Sequence, residues 1–284
     1  MAIIAFLGTG LLGSAFAEAA AKRGDTVTAW NRSAEKVQAL TAFGVRPATD
    51  PAEAVRGASR VHLVLKDDAV VESVIAACKT GLSPDVVLID HSTTLPALTA
   101  QRAARLQAEG LKYLHCPVFM GPPAARNAQG SMLVAGPESL FNAVAHDLAR
   151  MTGSLKYVGT RTDLAAAMKL QGNAMIIGLA AVMADVLTLA QASDIDGQSA
   201  IEMLGLLDLN AMVKGRGMNM ANGNFDASFE LVMARKDVGL MLEATGGRPL
   251  AALPAIAARM DQLIVQGHGA EDACVLGIDA SARS

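Results

Sequence analysis

The stretch that decides the fold lies at residues 6–13 and reads Phe6-Leu7-Gly8-Thr9-Gly10-Leu11-Leu12-Gly13. It continues an apolar run that predicts a buried strand, and its glycines have the spacing G-x-G-x-x-G. In this arrangement Gly8 permits a tight turn, Gly10 lets the backbone approach a pyrophosphate, and Gly13 lets the next helix pack closely on the strand. The alternative is a glycine-rich turn of the kind found in any α/β protein. The position between a first strand and a first helix nevertheless favours a dinucleotide-binding loop formed by residues 8–13.

The chain around this loop alternates short apolar runs with amphipathic segments, which is typical of βαβ units and a parallel sheet. The predicted strands are Ile3–Leu7, Thr26–Trp30, Val61–Leu65, Val86–Ile89, Lys112–His115, Met132–Ala135 and Lys156–Val158. The predicted helices between them are Leu11–Arg23, Ala34–Phe43, Ala69–Lys79, Ala97–Ala108 and Pro137–Met151.

The character of the sequence changes after about Gly159, where strand signals stop and successive helices rich in Ala, Leu and Met begin. The sequence therefore predicts an α/β Rossmann-type N-terminal domain over residues 1–160, followed by an all-α C-terminal domain over residues 161–284. We expect the first domain to bind the dinucleotide and the second to serve substrate binding and oligomerisation.

Composition excludes several classes of protein. With 52% hydrophobic residues, 18% charged residues and a net charge of −3, the chain is typical of a globular protein and carries no basic excess for binding nucleic acid. The cysteines Cys78, Cys116 and Cys274 are far apart and odd in number. We therefore expect no disulfide, no metal site and a reducing, cytoplasmic location.

The most apolar long segment covers residues 174–192. It contains Asp185 and follows Lys169 and Asn173, which favours a core helix over a membrane span, so we expect no membrane anchor. The segment is apolar on nearly every side and needs more cover than one small helical domain provides. It therefore predicts a homodimer or homotetramer.

The residues after the second predicted strand indicate which dinucleotide binds. An acid that holds the ribose 2′-hydroxyl is expected there, but the chain has Asn31-Arg32-Ser33. Arg32 can form a fork to a 2′-phosphate, and Asn31 and Ser33 can supply neutral hydrogen bonds. NADP(H) is therefore favoured and NAD(H) remains possible, while the alternative is an arginine that only begins a solvated helix.

A lysine at the end of an apolar helical stripe is the candidate for proton transfer. Lys169 and Asn173 are four residues apart, so on a helix they share one face that continues through apolar residues. Burial lowers the pKa of a lysine toward neutrality, as proton transfer during hydride transfer requires. The alternative is a lysine whose ammonium reaches solvent from the helix end.

A second lysine occupies a similar stripe. Lys236 shares helical spacing with Phe229, Val232, Met233 and Leu240, which predicts that it faces inward. A lysine extending to solvent, or a local ion pair with the neighbouring Asp237, is the alternative.

Taken in order along the chain, these motifs resemble the β-hydroxyacid dehydrogenase family, which includes 3-hydroxyisobutyrate dehydrogenase and shares the NADP-binding domain type of 6-phosphogluconate dehydrogenase. The resemblance covers nearly the whole chain. It rests on Gly8-Thr9-Gly10-Leu11-Leu12-Gly13, Asn31-Arg32-Ser33, Asp90-His91-Ser92-Thr93, Pro117-Val118, Lys169 with Asn173, and Phe229 with Lys236-Asp237.

The resemblance implies roles for the matched residues. The residue matching Lys169 is the general acid/base of such enzymes, and that matching Asn173 positions the substrate and the lysine. The residues expected along the cofactor beyond those already quoted are Leu65 and Lys66 and, at its nicotinamide end, Thr93 and Lys236. The residues expected at the substrate are Ser92, Phe119, Met120, Gly121, Lys169, Asn173 and Asp237.

Two departures from the family pattern concern the substrate pocket. The family usually has Ser-Gly-Gly after Pro-Val to bind a substrate carboxylate, whereas this chain has Phe119-Met120-Gly121. The lost hydroxyl and the two bulky side chains predict a less polar or differently shaped pocket. Gly172 also replaces the first of two family asparagines, while Asn173 keeps the second.

These features together predict an NADP(H)-dependent oxidoreductase that interconverts a hydroxy acid or alcohol and its carbonyl form, with Lys169 as general acid/base and a small molecule as substrate. Imine reductases resemble this pattern in fold and in the basic cofactor signature but usually lack the lysine. A non-catalytic dinucleotide-binding module, which needs no such lysine, is the second alternative.

Overall fold

The computed structural model describes residues 3–281 of the chain. Contacts divide the chain into two compact units, one ending at Asn173 and the other beginning at Ala174. The division falls within a 29-residue helix, later than the boundary predicted at residue 160. The first turns of this helix belong to the first unit because Ala165 is buried with Leu133 and Ala135 of its sheet.

The first unit is built on a sheet that has nine strands within the described residues. They are β1 (Ile3–Leu7), β2 (Thr26–Trp30), β3 (Arg46–Pro47), β4 (Arg60–Leu63), β5 (Val87–Asp90), β6 (Lys112–His115), β7 (Val118–Phe119), β8 (Ser131–Ala135) and β9 (Ser154–Gly159).

The strand order is β3-β2-β1-β4-β5-β6-β8-β7, with β9 beside β8. Pairing is parallel from β3 to β6, whereas β8 runs antiparallel to β6 and β7 and parallel to β9. The first six strands have the order of the doubly wound dinucleotide-binding fold, in which the order reverses between β1 and β4. Ligands of such sheets bind at that point, beyond the carboxyl ends of the strands.

Helices connect these strands. They are α1 (Leu11–Lys22), α2 (Ala34–Gln38), α3 (Pro51–Val55), α4 (Asp68–Cys78), α5 (Pro96–Ala108), α6 (Pro122–Arg126) and α7 (Glu138–Ala149), with 3-10 turns at Ala39–Phe43 and Lys79–Gly81. The sequence sets several of their starts. Asp50 and Asp67 cap α3 and α4 by accepting from the N–H groups of Glu53 and Val70.

Apolar layers cover both faces of the sheet, and β1 shows why. Ile4 and Phe6 point into one cluster of buried residues, while Ala5 and Leu7 point into the other, because successive side chains of a strand alternate between faces. A strand buried on both sides reads as a continuous apolar run. The predicted fold class, a Rossmann-type domain followed by helices, is confirmed.

The second unit is mostly helical. The long helix α8 (Leu164–Ala192) enters it and is followed by α9 (Gly197–Leu204), α10 (Leu209–Asn222), α11 (Leu231–Ala244) and α12 (Leu253–Leu263), a π-helical turn at Ile264–His268 and a 3-10 segment at Ala273–Ala280. Its core forms where Leu231 and Val238 of α11 pack with Met260 and Leu263 of α12.

The segment predicted to be a core helix is exposed over much of its length. In α8 the side chains of Met175, Ile176 and Ile177 are 53%, 57% and 68% exposed, whereas Asp185 is buried. The expectation of a core helix is therefore wrong for the single chain, because few elements pack on this part of α8. By length and composition α8, with a mean hydropathy of 1.9 over its most apolar window, is the one described helix that could cross a membrane.

Candidate active site

The glycine loop between β1 and α1 has the geometry that its spacing predicts. Gly8 has a φ of +99°, and a Cβ atom on it would lie 2.3 Å from the carbonyl oxygen of Val64. A Cβ atom on Gly13 would lie 2.0 Å from the carbonyl oxygen of Gly8, so helix and loop touch backbone to backbone. A Cβ atom on Gly10 would meet no atom within 4 Å, so this glycine faces open space. The loop is closed on the protein side and open where a pyrophosphate would lie.

Asn31 ties this loop to the end of β2. Its Oδ1 accepts from the N–H of Thr9 at 3.1 Å, and its Nδ2 donates to the carbonyl oxygen of Ser33 at 3.2 Å. Thr9 itself is buried, and its hydroxyl has no hydrogen-bond partner in the described structure. The amide of Asn31 therefore shapes the loop in addition to lying beside the expected ribose position.

A cleft of about 620 Å³ lies beyond the carboxyl ends of β1, β2, β4 and β5. It brings together most residues that the sequence assigns to the cofactor: Gly8, Gly10, Leu11, Leu12, Gly13, Asn31, Arg32, Ser33, Leu65, Lys66 and Thr93, with Ser92 beside them. The residues present fit a dinucleotide, because the glycine cradle opens into this cleft.

Several residues of this cleft were not predicted from the sequence, and Lys36 is the most informative of them. Lys36 lies in α2, four residues after Arg32, and both exposed cations line the cleft. The signal in the sequence was a second cation in the helix that begins directly after Ser33. The other missed lining residues are Trp30, Val64, Val70, Ser73, Val74 and His91.

Ser92 holds the loop that follows β4. Its Oγ accepts from the N–H of Leu65 at 3.0 Å, and its own N–H donates to Oδ1 of Asp90 at 2.9 Å. Asp90 is fully buried, and its Oδ2 accepts from the hydroxyl of Tyr113 at 2.8 Å and from Arg102. Burial and the Asp90 carboxylate raise the pKa of Tyr113, so this hydroxyl stays protonated and donates. This buried network fixes the wall of the cleft at Leu65.

Two stacked histidines lie behind the same wall. Nδ1 of His62 and Nε2 of His91 are 2.9 Å apart, and Nδ1 of His91 donates to the carbonyl oxygen of Cys116 at 2.7 Å. Burial lowers the pKa of His62 and lowers that of His91 to about 4. Both rings are therefore neutral near pH 7 and support the wall as uncharged groups.

The candidate catalytic lysine lies in the first turns of α8. The ammonium nitrogen of Lys169 lies 4.3 Å from the centroid of the ring of Phe119, a residue of β7. Lys169 is half-buried, and burial lowers the pKa of its ammonium group. Asn173, one turn further along, is also partly exposed. The lysine thus lies at a protein surface but has lost part of its hydration.

Of the residues predicted at the substrate, Ser92 lines the 620 Å³ cleft, whereas the others do not: Phe119, Met120, Gly121, Lys169, Asn173 and Asp237. Phe119 lies against Lys169, Met120 packs on the apolar cluster under α1, and Gly121 is exposed at the start of α6. Gly172 lies directly against the Phe119 ring.

Lys236 and Asp237 lie in the second unit. The predicted stripe of Phe229, Val232, Met233, Lys236 and Leu240 is exposed, and α11 instead buries Leu231, Ala234 and Val238. The prediction that Lys236 faces inward is wrong, because the core of this unit covers the other face of the helix. Lys236 forms an ion pair with Asp237 at 2.8 Å, as the local alternative anticipated. Within residues 3–281, no group of three or more His, Cys, Asp or Glu side chains is placed to hold a metal ion.

A glycine cradle after β1 and a cleft at the strand reversal are the features of a dinucleotide-binding domain. The profile of the NAD-binding domain of 6-phosphogluconate dehydrogenase matches residues 3–159. The chain belongs to that family, as an oxidoreductase of the β-hydroxyacid dehydrogenase type.

Relatives of known name share most of the chain. The 3-sulfolactaldehyde reductase of Escherichia coli strain K12 is 28% identical over 260 residues, which cover 86% of this chain and 83% of the reductase. The chloroplastic glyoxylate/succinic semialdehyde reductase 2 of Arabidopsis thaliana is 29% identical over 246 residues, covering 84% and 68%. A solved imine reductase from Pseudomonas sp. has a TM-score of 0.87 at 21% identity, covering 97% of this chain and 98% of that one. At that identity the likeness concerns the fold alone.

Proposed function

We propose that the protein is an NADP(H)-dependent reductase or dehydrogenase that interconverts a small hydroxy acid or alcohol and its carbonyl form. The observation that carries the proposal is the partly dehydrated Lys169, whose lowered pKa suits it to give and take a proton. The dinucleotide, when bound, supplies or accepts the hydride. Lys169 donates a proton to the substrate oxygen during reduction and accepts it during oxidation. Asn173, on the same helical face, positions the substrate for this transfer.

The cofactor preference rests on charge at the end of β2. Arg32 and Lys36 line the cleft where a 2′-phosphate would lie, and neither residue flanking Arg32 is an acid. A guanidinium binds phosphate through two parallel hydrogen bonds, and a nearby ammonium adds attraction. A carboxylate, which would hold a ribose 2′-hydroxyl and repel the phosphate, is missing from positions 31–33. These features support NADP(H) over NAD(H).

Reduction of an imine is the second candidate, and the apolar side chains of Phe119 and Met120 favour it. The named relatives reduce aldehydes or semialdehydes, whereas the fold is shared with an imine reductase. The proton donor distinguishes the two chemistries, since carbonyl reduction places new negative charge on an oxygen that Lys169 can protonate.

A substrate screen tests the proposal. Purified protein with NADPH is offered aldehydes, keto acids, semialdehydes and imines, and loss of NADPH absorbance is followed with Lys169→Ala as the matched control. We expect carbonyl compounds to be reduced by the unmutated protein and not by the variant. Turnover of imines alone would favour the second candidate, and NADPH binding without any turnover would indicate a non-catalytic module.

We further propose that the protein acts in the cytoplasm as a homodimer or homotetramer in which a second copy covers the apolar surface of the helical unit. The stretch from Leu170 to Ala184 carries no charged residue, and α10 buries none of its side chains. Exposed apolar side chains on α8, α9 and α10 include Met175, Ile176, Ile177, Leu179, Ile201, Met203, Met212 and Val213. Apolar patches of this extent mark interaction surfaces. The buried carboxylate of Asp185 on α8 supports protein cover rather than lipid.

A further inference from the structure

Two residues far apart in the sequence meet beside the candidate catalytic lysine. The Phe119 ring lies under the ammonium nitrogen of Lys169, 4.3 Å from ring centroid to nitrogen. A Cβ atom on Gly172 would lie 2.4 Å from both Cε1 and Cζ of the same ring. Real Cβ atoms do not approach so closely, so glycine at position 172 is a condition for this ring position.

The ring is held in place by the first unit itself. Phe119 belongs to β7 and pairs with Ser131 of β8, which fixes its backbone. Its side chain packs on the buried cluster of Leu133, Ala135 and Ala165, the last of which lies in the same helix as Lys169. The sheet and the helix therefore both determine where the aromatic face points.

An aromatic face attracts an ammonium group because its π electrons make the face negative, and the attraction grows where water is partly excluded. Lys169 is such a case, since it is half-buried. No salt bridge to Lys169 is formed by the carboxylates within residues 3–281. The contact with the ring therefore restricts a long side chain that is otherwise flexible.

We propose that Phe119 is the positioning residue of Lys169: its ring face, admitted by Gly172, holds the ammonium nitrogen at the place from which it transfers the proton. The proposal rests on the proton-transfer role of Lys169. Phe119 does not itself exchange a proton. Its effect is on the orientation and protonation of the lysine.

Three substitutions separate the ring face from simple bulk. Phe119→Leu keeps an apolar side chain but removes the aromatic face, and Phe119→Tyr keeps the face. Gly172→Ala leaves Phe119 unchanged and pushes its ring aside through the new Cβ atom. Thermal unfolding of each variant shows that it is folded, and Gly172→Ala and Phe119→Leu provide independent routes to the same loss.

The measurement is the pH dependence of acetylation of Lys169 by acetic anhydride, read by mass spectrometry, with exposed Lys156 as internal reference. The readout needs no substrate. Loss of the aromatic face disfavours the charged form, so the apparent pKa of Lys169 should fall by roughly half a unit to one unit in Phe119→Leu and Gly172→Ala. Phe119→Tyr should retain the original value, and Lys156 should be unchanged in all three. The basic limb of the kcat profile should move by the same amount.

An unchanged acetylation curve for Lys169 in both Phe119→Leu and Gly172→Ala would overturn the proposal, even if Lys169→Ala is inactive. A shifted curve together with full turnover by Lys169→Ala would instead retain the contact and reject the proton-transfer role. A shift in Phe119→Tyr as large as in Phe119→Leu would also contradict it, because bulk rather than the ring face would then be responsible.

Discussion

Asp185→Asn should lower the free energy of unfolding by about 2–3 kcal/mol, because it removes a buried, charged acceptor from the start of α12. Asp185 is 1% exposed, and its Oδ1 accepts from the N–H of Ala251 at 2.6 Å. Its Oδ2 accepts from the N–H groups of Ala252 and Leu253 at 2.9 and 2.8 Å, where α12 begins. Burial acts to raise the pKa of the Asp185 carboxyl, but these three donors hold it below its usual value.

The magnitude follows from what asparagine can replace. Its single oxygen can serve Ala252 and Leu253, but its NH₂ group then faces the N–H of Ala251, and the lost hydrogen bond to a charged acceptor costs about 1.5–3 kcal/mol. The lost negative charge at the helix start adds about 0.3–1 kcal/mol. Asp196→Asn is the matched control, because Asp196 caps α9 by accepting from the N–H of Ser199 at an exposed site. Asparagine caps helices as well as aspartate does, so the control should be nearly as stable as the unmutated protein. Urea unfolding measures the free energy of unfolding of both variants. A change in Asp185→Asn as small as that in Asp196→Asn would refute the reasoning.

Three further predictions concern the cofactor, pH and assembly. The unmutated protein should bind NADPH at least about ten times more tightly than NADH, a difference of roughly 1.4 kcal/mol in binding free energy. Arg32→Ala should remove most of that difference. Equal affinities of the unmutated protein for the two cofactors in a fluorescence titration would contradict the assignment. Burial lowers the pKa of His91 to about 4 in the folded protein, against about 6.5 in the unfolded chain. Its contribution to the free energy of unfolding, up to about 3 kcal/mol, is therefore complete above pH 6.5 and is lost as the pH falls toward 4. Urea unfolding between pH 7 and pH 4 checks this, with a constant midpoint as the contrary outcome. Light scattering should report a dimer or larger species at micromolar concentration, and Ile177→Glu on the exposed face of α8 should weaken it; a stable monomer of the unmutated chain would exclude the assembly.

The strands of the first unit differ in how far the sequence predicts them. β1, β2 and β6 have the predicted bounds. β1 and β2 are apolar or β-branched runs that end before Gly8 and Asn31. The strands β3 and β7 were missed because two residues are too few to display a period of two. Their pairing is determined by neighbours in the sheet, which local sequence does not contain.

The helical unit shows the limit of periodicity more clearly. An apolar stripe predicts that one face of a helix is covered, but it does not say by what. The helix α11 has two apolar faces. Leu231, Ala234 and Val238 on one face are buried in the core, whereas the stripe that contains Lys236 is exposed. In α8 the apolar residues around Ile177 are likewise exposed within one chain.

The candidate site divides in the same way. The glycine cradle could be predicted because its function requires fixed residue types at fixed local spacing. Phe119 and Gly172 are two separate departures from the family pattern in the sequence, and only the structure shows that they are in contact. The contact depends on how β7 and α8 pack against each other, so a local sequence pattern cannot predict it.

The central claim, that Lys169 transfers the proton, is tested most directly by Lys169→Ala assayed on whichever substrate the NADPH screen finds. Turnover and NADPH affinity are measured on the same preparation, with Lys156→Ala as the control for loss of a lysine at an exposed site. We predict that Lys169→Ala lowers kcat by about a hundredfold or more with little change in NADPH affinity, since the residues expected to hold the phosphates line a cleft to which Lys169 does not contribute. Near-normal turnover by Lys169→Ala, or loss of NADPH binding in step with loss of turnover, would contradict it.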